Sequence, residues 1–208
     1  MKLLYATSNP GKQEEVKKLL SRFNIALLFP HDLELSLDPD ESGKSLEENA
    51  GIKAREYVQA LNNPEIIVMT DDTGVEIDAL GGEPGIHVRR WKGYRMEDEE
   101  IITYCLDRMR NIDPANRKAQ FRTVIALAYP LEQTYFFEGV LGGTIAQSPI
   151  PLRMKGFPFE SIFYIPEYKK MLGEIHQMNS REKDSRGFHS HREKAVINAL
   201  PKIKQLLS

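Results

Sequence analysis

The stretch IIVMTDDTGVEID, Ile66 to Asp78, governs the reading of the chain. Ile66, Ile67, Val68, Met69 and Thr70 form a short apolar, β-favouring run, which predicts a buried strand. Two aspartates follow at once, Asp71 and Asp72, then Thr73 and Gly74. Adjacent carboxylates repel, and the pair costs free energy unless a cation, a donor or solvent answers it. Ligands of open α/β sheets bind outside the carboxyl ends of strands, and the sequence puts both aspartates at such an end. Successive residues point in different directions. One carboxylate can therefore take a hard divalent cation such as Mg²⁺ while the other faces a water. Two solvated turn residues are the alternative.

Outward from this stretch, strands and helices alternate. Lys2–Ala6 predicts a strand and Thr7–Gly11 a turn. Val16, Leu19, Leu20 and Phe23 share one helical face. Ile25–Phe29 predicts a second strand, 32–44 an acidic loop and Ser45–Leu61 a helix. Beyond Ile66–Thr70 come a glycine- and proline-bearing loop, Gly81–Gly93, and a helix over Met96–Asn111. Gln120–Tyr129 and Gln133–Val140 read as a hairpin, Pro149–Pro158 as an irregular loop and Ser161–Ile165 as a strand. His191–Leu207 is a last helix, in which Pro201 predicts a kink or break. The pattern is α/β with a mixed sheet. No repeat, low-complexity tract or linker divides residues 1–208, so one domain is expected.

Composition narrows the function classes. The 208 residues are 41% hydrophobic and 28% charged, which describes a soluble globular protein with a real core. A net charge of −2 argues against bulk attraction to nucleic acid. The single cysteine, Cys105, permits no intramolecular disulfide and points to a reducing compartment. No apolar run reaches the roughly 20 residues that span a bilayer, and the start lacks a signal-peptide core. Charge is uneven. Residues 32–48 hold seven acids against Lys44, and residues 169–204 hold nine bases against four acids. The two segments are either solvated faces or the flanks of a site for metal and polyphosphate.

Two further motifs carry chemistry. In YATSNPGK, Tyr5 to Lys12, a strand runs through a turn into a helix. Helix N-termini favour anions. Lys12 would add a full positive charge, and Thr7, Ser8 and Asn9 offer polar groups. The Walker A spacing is absent, and an ordinary capped helix start fits as well. In KSLEENAGIKAR, Lys44 to Arg55, Ser45 and Glu48 fit a capping box. Glu48 either folds back on the backbone or points at a metal, with Asn49 and Lys53 close behind.

Taken in order, TSNPGK, SLEENAGIKAR, DDTGVEIDALGGEPG and the SHR of Ser190–Arg192 resemble the inosine/xanthosine triphosphate pyrophosphatase family, over nearly the whole chain. The resemblance implies two lobes around a long twisted mixed β-sheet with flanking helices, and an active site in the cleft between them. It implies Mg²⁺-dependent hydrolysis of inosine, deoxyinosine and xanthosine triphosphates to monophosphate and pyrophosphate by a cytoplasmic homodimer, with no nucleic-acid or membrane partner. Carried over by position, Thr7, Ser8, Asn9 and Lys12 would hold the triphosphate, with Thr73 nearby. Glu48 and Asp71 would bind metal, and Asp72 would be the general base. Lys53 would neutralise phosphate charge. His191 and Arg192 would contact the base, along with Phe157, Phe159, Glu160 and Lys183. Such chemistry relies on positioning and charge neutralisation.

The departures cluster where the base would sit. The family loop GGFGYDPIF is here Lys155–Phe163, KGFPFESIF, so Pro158 replaces a glycine, Phe159 lacks the tyrosine hydroxyl and Glu160 is longer than aspartate. Phe157 keeps the stacking ring. Thr73 replaces serine and keeps the hydroxyl. Val88 and Arg89 alter the small stretch before Arg90. Lys183 precedes His191 by eight residues, where the family spacing is five or six. A pyrophosphatase for a different nucleotide is thus an alternative, as is a nucleotide-binding module without turnover. His87 and His189 receive no role. An aspartyl-phosphate phosphatase fails, because its two aspartates stand one residue apart.

Overall fold

Strand β1, Lys2–Tyr5, opens a computed structural model that describes residues 1–130 and 133–208. Asn9 caps helix α1, Pro10–Ser21, by accepting from the amides of Gly11 and Lys12. Pro10 takes the first helical position, where its missing N–H costs nothing. Val16, Leu19 and Leu20 are buried as the periodicity predicts. Phe23 is not: the helix ends before it and it is 37% exposed. Asn24 just beyond takes a left-handed φ of 57°, turning the chain towards β2, Leu27–Leu28. That strand is shorter than the predicted Ile25–Phe29. Ser45 caps α2, Leu46–Leu61, by accepting from the Glu48 amide.

Strand β3 spans Ile66–Ile77. The predicted strand stopped at Thr70, so the aspartates lie inside a strand rather than at its carboxyl end. Val75 and Ile77 explain the difference: both are buried, and they carry the extended backbone on past the charges. Strand β4, Pro84–Gly85, pairs antiparallel with Val75 and Glu76. Then come α3, Asp98–Arg108; β5, Lys118–Ala128; and β6, Tyr135–Ile145, which runs five residues past the predicted end at Val140. Strands β7, Phe163–Ile165, and β8, Lys170–Met171, follow, with the short helices α4, Leu172–Gln177, and α5, Ser180–Ser185. Strand β8 and these two helices were not predicted. Their runs are shorter than a helical or alternating pattern needs to show itself.

Helix α6, His191–Leu207, is unbroken, with Pro201 inside it. A proline there costs about 3 kcal/mol. The buried Ala195, Val196, Ala199, Leu200 and Ile203 offset it.

The strands form one mixed sheet in the order β2-β1-β3-β5-β6-β7-β8, with β4 on β3. Strand β1 is parallel to β2 and β3, whereas β7 is antiparallel to β6 and β8. The α/β class with a long mixed sheet is as expected. The chain divides into two units. The first comprises residues 1–73, 122–140 and 190–208, and the second 74–121 and 141–189. Each has its own core. Leu3, Tyr5, Leu20, Ile67, Met69, Ile125 and Val196 centre the first. Val75, Ile77, Ile101, Cys105, Phe159, Phe163 and Ile175 centre the second.

Candidate active site

Both aspartates lie in the first unit, and the alternation of β3 gives them opposite surroundings. Thr70, just before them, donates to the Ala50 carbonyl at 2.7 Å, which ties β3 to α2. The Asp71 side chain is 1% exposed, and its oxygens are fully engaged. Oδ1 accepts from the Tyr5 hydroxyl at 2.7 Å. Oδ2 accepts from Lys12 Nζ at 2.9 Å and Arg192 Nε at 3.1 Å, with Thr73 Oγ1 3.4 Å away. Burial opposes the charge of Asp71, but Lys12, Arg192 and Lys53 outweigh it and hold the carboxyl far below the usual range. Burial raises the Tyr5 hydroxyl well above its usual value, and Asp71 raises it further, so Tyr5 stays a donor.

Asp72 faces the other way and is half-buried. Its Oδ1 accepts from Lys53 Nζ at 2.9 Å and its Oδ2 from Asn49 Nδ2 at 3.2 Å. Asn49 is itself fixed, since its Oδ1 accepts from the Gly43 amide at 2.8 Å. Burial raises the Asp72 pKa and outweighs the opposing pull of Lys53 and Lys12. Lys53 also reaches Glu41 at 3.2 Å. Burial opposes the Lys53 charge, but Asp72, Asp71 and Glu41 overcome it and raise its pKa. Lys12 moves the other way: burial is the largest influence and lowers its pKa. Side by side therefore stand a carboxylate locked in its charged form and one eased towards accepting a proton.

Thr7, Asn9 and Lys12 gather at the start of α1. Asn9 Oδ1 is committed to the helix amides, and Thr7 Oγ1 accepts from the Asn9 amide at 3.3 Å. Ser8 is exposed. Glu48 folds back on the backbone, the capping side of the two readings. It is exposed, and its Oε2 accepts from the Lys44 amide at 2.7 Å, one residue before the cap. Arg192 is buried and bound to Asp71 and Glu15, at the charged cluster. His191, also buried, meets Thr123 Oγ1 through Nδ1 at 2.6 Å.

Four predicted residues belong to the second unit. Phe157 is half-buried and precedes a 3-10 turn over Pro158–Ser161. Phe159 is 2% exposed and packs with Trp91 and Phe121. Glu160 is buried, its Oε1 2.6 Å from His176 Nδ1, and its Oε2 has no hydrogen-bond partner. Lys183 donates to the His176 carbonyl at 3.0 Å. His176 therefore joins the altered loop, although nothing in the sequence set it apart. Sequence reasoning also passed over Tyr5, Glu15 and Thr123. A tyrosine and a threonine in apolar strands read as core, and a lone glutamate on α1 reads as surface.

The donor set decides whether a divalent cation fits. Among the described residues, no three His, Cys, Asp or Glu side chains converge on one point. An all-protein cage is therefore not what these residues form. Oxygen donors from Glu48, Asp71 and Asp72 suit a hard cation that keeps waters and completes its shell on substrate phosphates. Lys12 Nζ occupies Asp71 Oδ2, so a cation would reach that oxygen only if Lys12 moved.

Comparison with known proteins agrees with this picture. Residues 3–202 match the Ham1 family. A dITP/XTP pyrophosphatase of Thermus thermophilus is 38% identical, covering 98% of this chain and 92% of its own. One from Clostridium perfringens is 32% identical over 99% and 98%. Among solved structures, the Staphylococcus aureus Ham1 protein superposes with a TM-score of 0.78 at 31% identity, covering 98% of this chain and 100% of that one. A HAM1 protein from Coxiella burnetii gives 0.80 at 28%, with 99% of each chain covered. The resemblance read from the motifs holds along the whole length, and the chain belongs to the Ham1 family.

Proposed function

We propose that this chain hydrolyses deaminated-purine nucleoside triphosphates (the inosine, deoxyinosine and xanthosine forms) to the monophosphate and pyrophosphate, clearing them from the nucleotide pool. The names of its relatives support the substrate class. The observation that carries the chemistry is the unequal pair: Asp71 buried and locked in its charged form, Asp72 half-buried and raised in pKa.

Lys12 and Lys53 neutralise the triphosphate, and Thr7, Ser8, Asn9 and Thr73 line its path. Glu48 and Asp71 would hold the cation, Mg²⁺, once Lys12 turns from Asp71 to the substrate. When bound, the cation supplies charge neutralisation to the phosphate oxygens. Asp72 takes a proton from a water whose oxygen bonds to the α-phosphorus. The bond from that phosphorus to the bridging oxygen breaks, and pyrophosphate leaves with the electron pair. Lys53 orients Asp72 and then answers the negative charge that collects on the departing group. A carboxylate base of this kind contributes about 10²–10⁴-fold.

In the first unit His191 contacts the base; in the second, Phe157 offers a ring for stacking, and Phe159, Glu160 and Lys183 shape the segment that carries it. Arg192 secures Asp71. The enzyme works as a cytoplasmic homodimer on free nucleotides. No helix among the described residues is long and apolar enough to cross a membrane.

The test is direct measurement of pyrophosphate from a panel of nucleoside triphosphates with Mg²⁺. Release from the inosine and xanthosine forms far above the adenosine and guanosine forms is expected. Preference for another nucleotide would move the substrate assignment to the altered Lys155–Phe163 loop. No release from any nucleotide would reduce the site to a binding module.

A further inference from the structure

Arg89 and Pro158, two of the departures met in the sequence, converge on one short stretch of the second unit, Gly156–Pro158. Asp98, the first residue of α3, connects them. Its Oδ2 accepts from the Gly156 amide at 2.8 Å. Arg89 Nη1 stands 2.5 Å from the other oxygen, Oδ1, as an ion pair rather than an aligned hydrogen bond. The amide and the guanidinium can only donate, so the carboxylate accepts. The start of a helix favours a charged carboxylate at this place. Gly156 itself sits at a φ of 89°, a conformation glycine adopts without strain. The Phe157 amide donates to the Met154 carbonyl at 2.9 Å. Pro158 follows and bars the α region to Phe157. A second tether, from Arg153 to Glu99 in the first turn of α3, is more exposed and counts for less.

The backbone on both sides of Phe157 is therefore restrained, and the restraint on its amino side passes through one carboxylate. We propose that Asp98, braced by Arg89, is a positioning residue that holds Phe157 so that its ring is in place before the base arrives. A ring placed in advance spares the cost of ordering the segment on binding. The inference rests on Phe157 stacking on the base, as in the proposed function. It adds the residues that aim the ring, and it gives Arg89 a role. Every nucleobase has a face to stack on. The clamp therefore sets how tightly a nucleotide binds and leaves the choice among purines to the polar groups.

The experiment compares Asp98→Ala, Asp98→Asn and Arg89→Ala. Asp98→Asn keeps an oxygen for the Gly156 amide and loses the charge. Amide exchange at Gly156, read in ¹⁵N-labelled protein, reports the clamp without reference to activity. It is expected to be slow in wild type, fast in Asp98→Ala and intermediate in the other two. If the freed ring is in place about a tenth of the time, KM in Asp98→Ala rises roughly tenfold. The rise should be equal for inosine and xanthosine triphosphates, with kcat little changed, and smaller in Asp98→Asn and Arg89→Ala. Inhibition by inorganic triphosphate, which has no base, should stay as in wild type. In a Phe157→Ala background, Asp98→Ala should raise KM little further, because both changes act through one ring. A merely structural role would weaken inhibition by inorganic triphosphate as well, and its effect would add in full to that of Phe157→Ala. Either result, or a Gly156 amide set free with KM unmoved, overturns the proposal. If Asp98→Ala does not fold, the other two variants carry the same comparison. Wild-type protein that releases no pyrophosphate would instead overturn the proposed function. Calorimetric affinities for inosine triphosphate would then replace KM, and affinities unmoved by Asp98→Ala would overturn the clamp too.

Discussion

Asp72 and Cys105 show how one side chain's surroundings set its chemistry. Asp72 is held by Lys53 and Asn49, and burial raises its pKa, the property a general base needs near neutral pH. Asp72→Asn keeps the size and the neighbours and removes the base. Pyrophosphate release is expected to fall by about 10²–10⁴-fold, while circular dichroism and the melting temperature stay close to wild type. Unchanged turnover would remove Asp72 from the mechanism. Cys105 is fully buried in the second core, and burial pushes its thiol up to about 12 from an ordinary 9.0. The fold favours the neutral thiol. That contribution is complete below about pH 9 and is lost as pH rises towards 12, up to roughly 4 kcal/mol. Urea titrations at pH 8 and pH 11 should therefore show a smaller alkaline loss for Cys105→Ala than for wild type. An equal loss in both would place the alkaline sensitivity elsewhere, with Tyr5 the next group to examine. The thiol should also resist thiol reagents in native buffer and react on unfolding.

Among the elements, helix α6 ties the charged cluster to the sheet, because it carries His191 and Arg192 and packs on β6. Gly139 on β6 lets it do so. A Cβ there would meet the His191 carbonyl oxygen at 2.1 Å and the Ala195 amide nitrogen at 2.3 Å, both backbone atoms. Gly139→Ala must push the start of α6 away from the strand, and with it the arginine bound to Asp71. A loss of about 3 kcal/mol or more is expected, in the range of overpacked cores and broken buried ion pairs. Activity should fall even at temperatures where the fold survives. Calorimetry beside the pyrophosphate assay would check it, and a near-neutral melting temperature would mean that α6 is not seated as described. Pro201 makes the opposite case. It is exposed inside the same helix, where alanine would restore a backbone donor. Pro201→Ala should stabilise the protein by about 1–3 kcal/mol, read as a higher melting temperature at unchanged activity. Destabilisation would mean that the helix has adapted to the proline.

Across the whole molecule, what was legible in sequence was what repeats or what is punctuated. The long helices declared themselves through periodicity, and α1 and α2 also through their caps. Strands β1, β5 and β6 declared themselves as apolar runs, and so did the α/β order. The end of β3 did not, because charge inside a strand reads as a boundary until a buried ion-pair network shows why the backbone continues. The aspartates and both lysines were found from their motifs, but their partners Tyr5, Glu15 and Thr123 were not, since each is ordinary in its local context. That hidden network links the site to stability. Asp71 sits buried between Lys12 and Arg192, and its pKa is held below the ordinary 3.8. A depressed carboxyl contributes stability that is fully present above the unfolded value, near pH 4, and is lost as pH falls through the folded one. Asp71→Asn removes the shared anion and leaves two cations facing each other, a change of about 3–5 kcal/mol when a buried pair is broken. The stability gap between wild type and variant should be full at pH 6–8 and should narrow only below about pH 4, where the unfolded carboxyl takes up its proton. Denaturant titrations of both proteins across pH 2–8 would trace it. A gap already closing at pH 6 would mean that Asp71 titrates like an exposed carboxylate, and the ion-pair network would then not be what holds β3, α1 and α6 together.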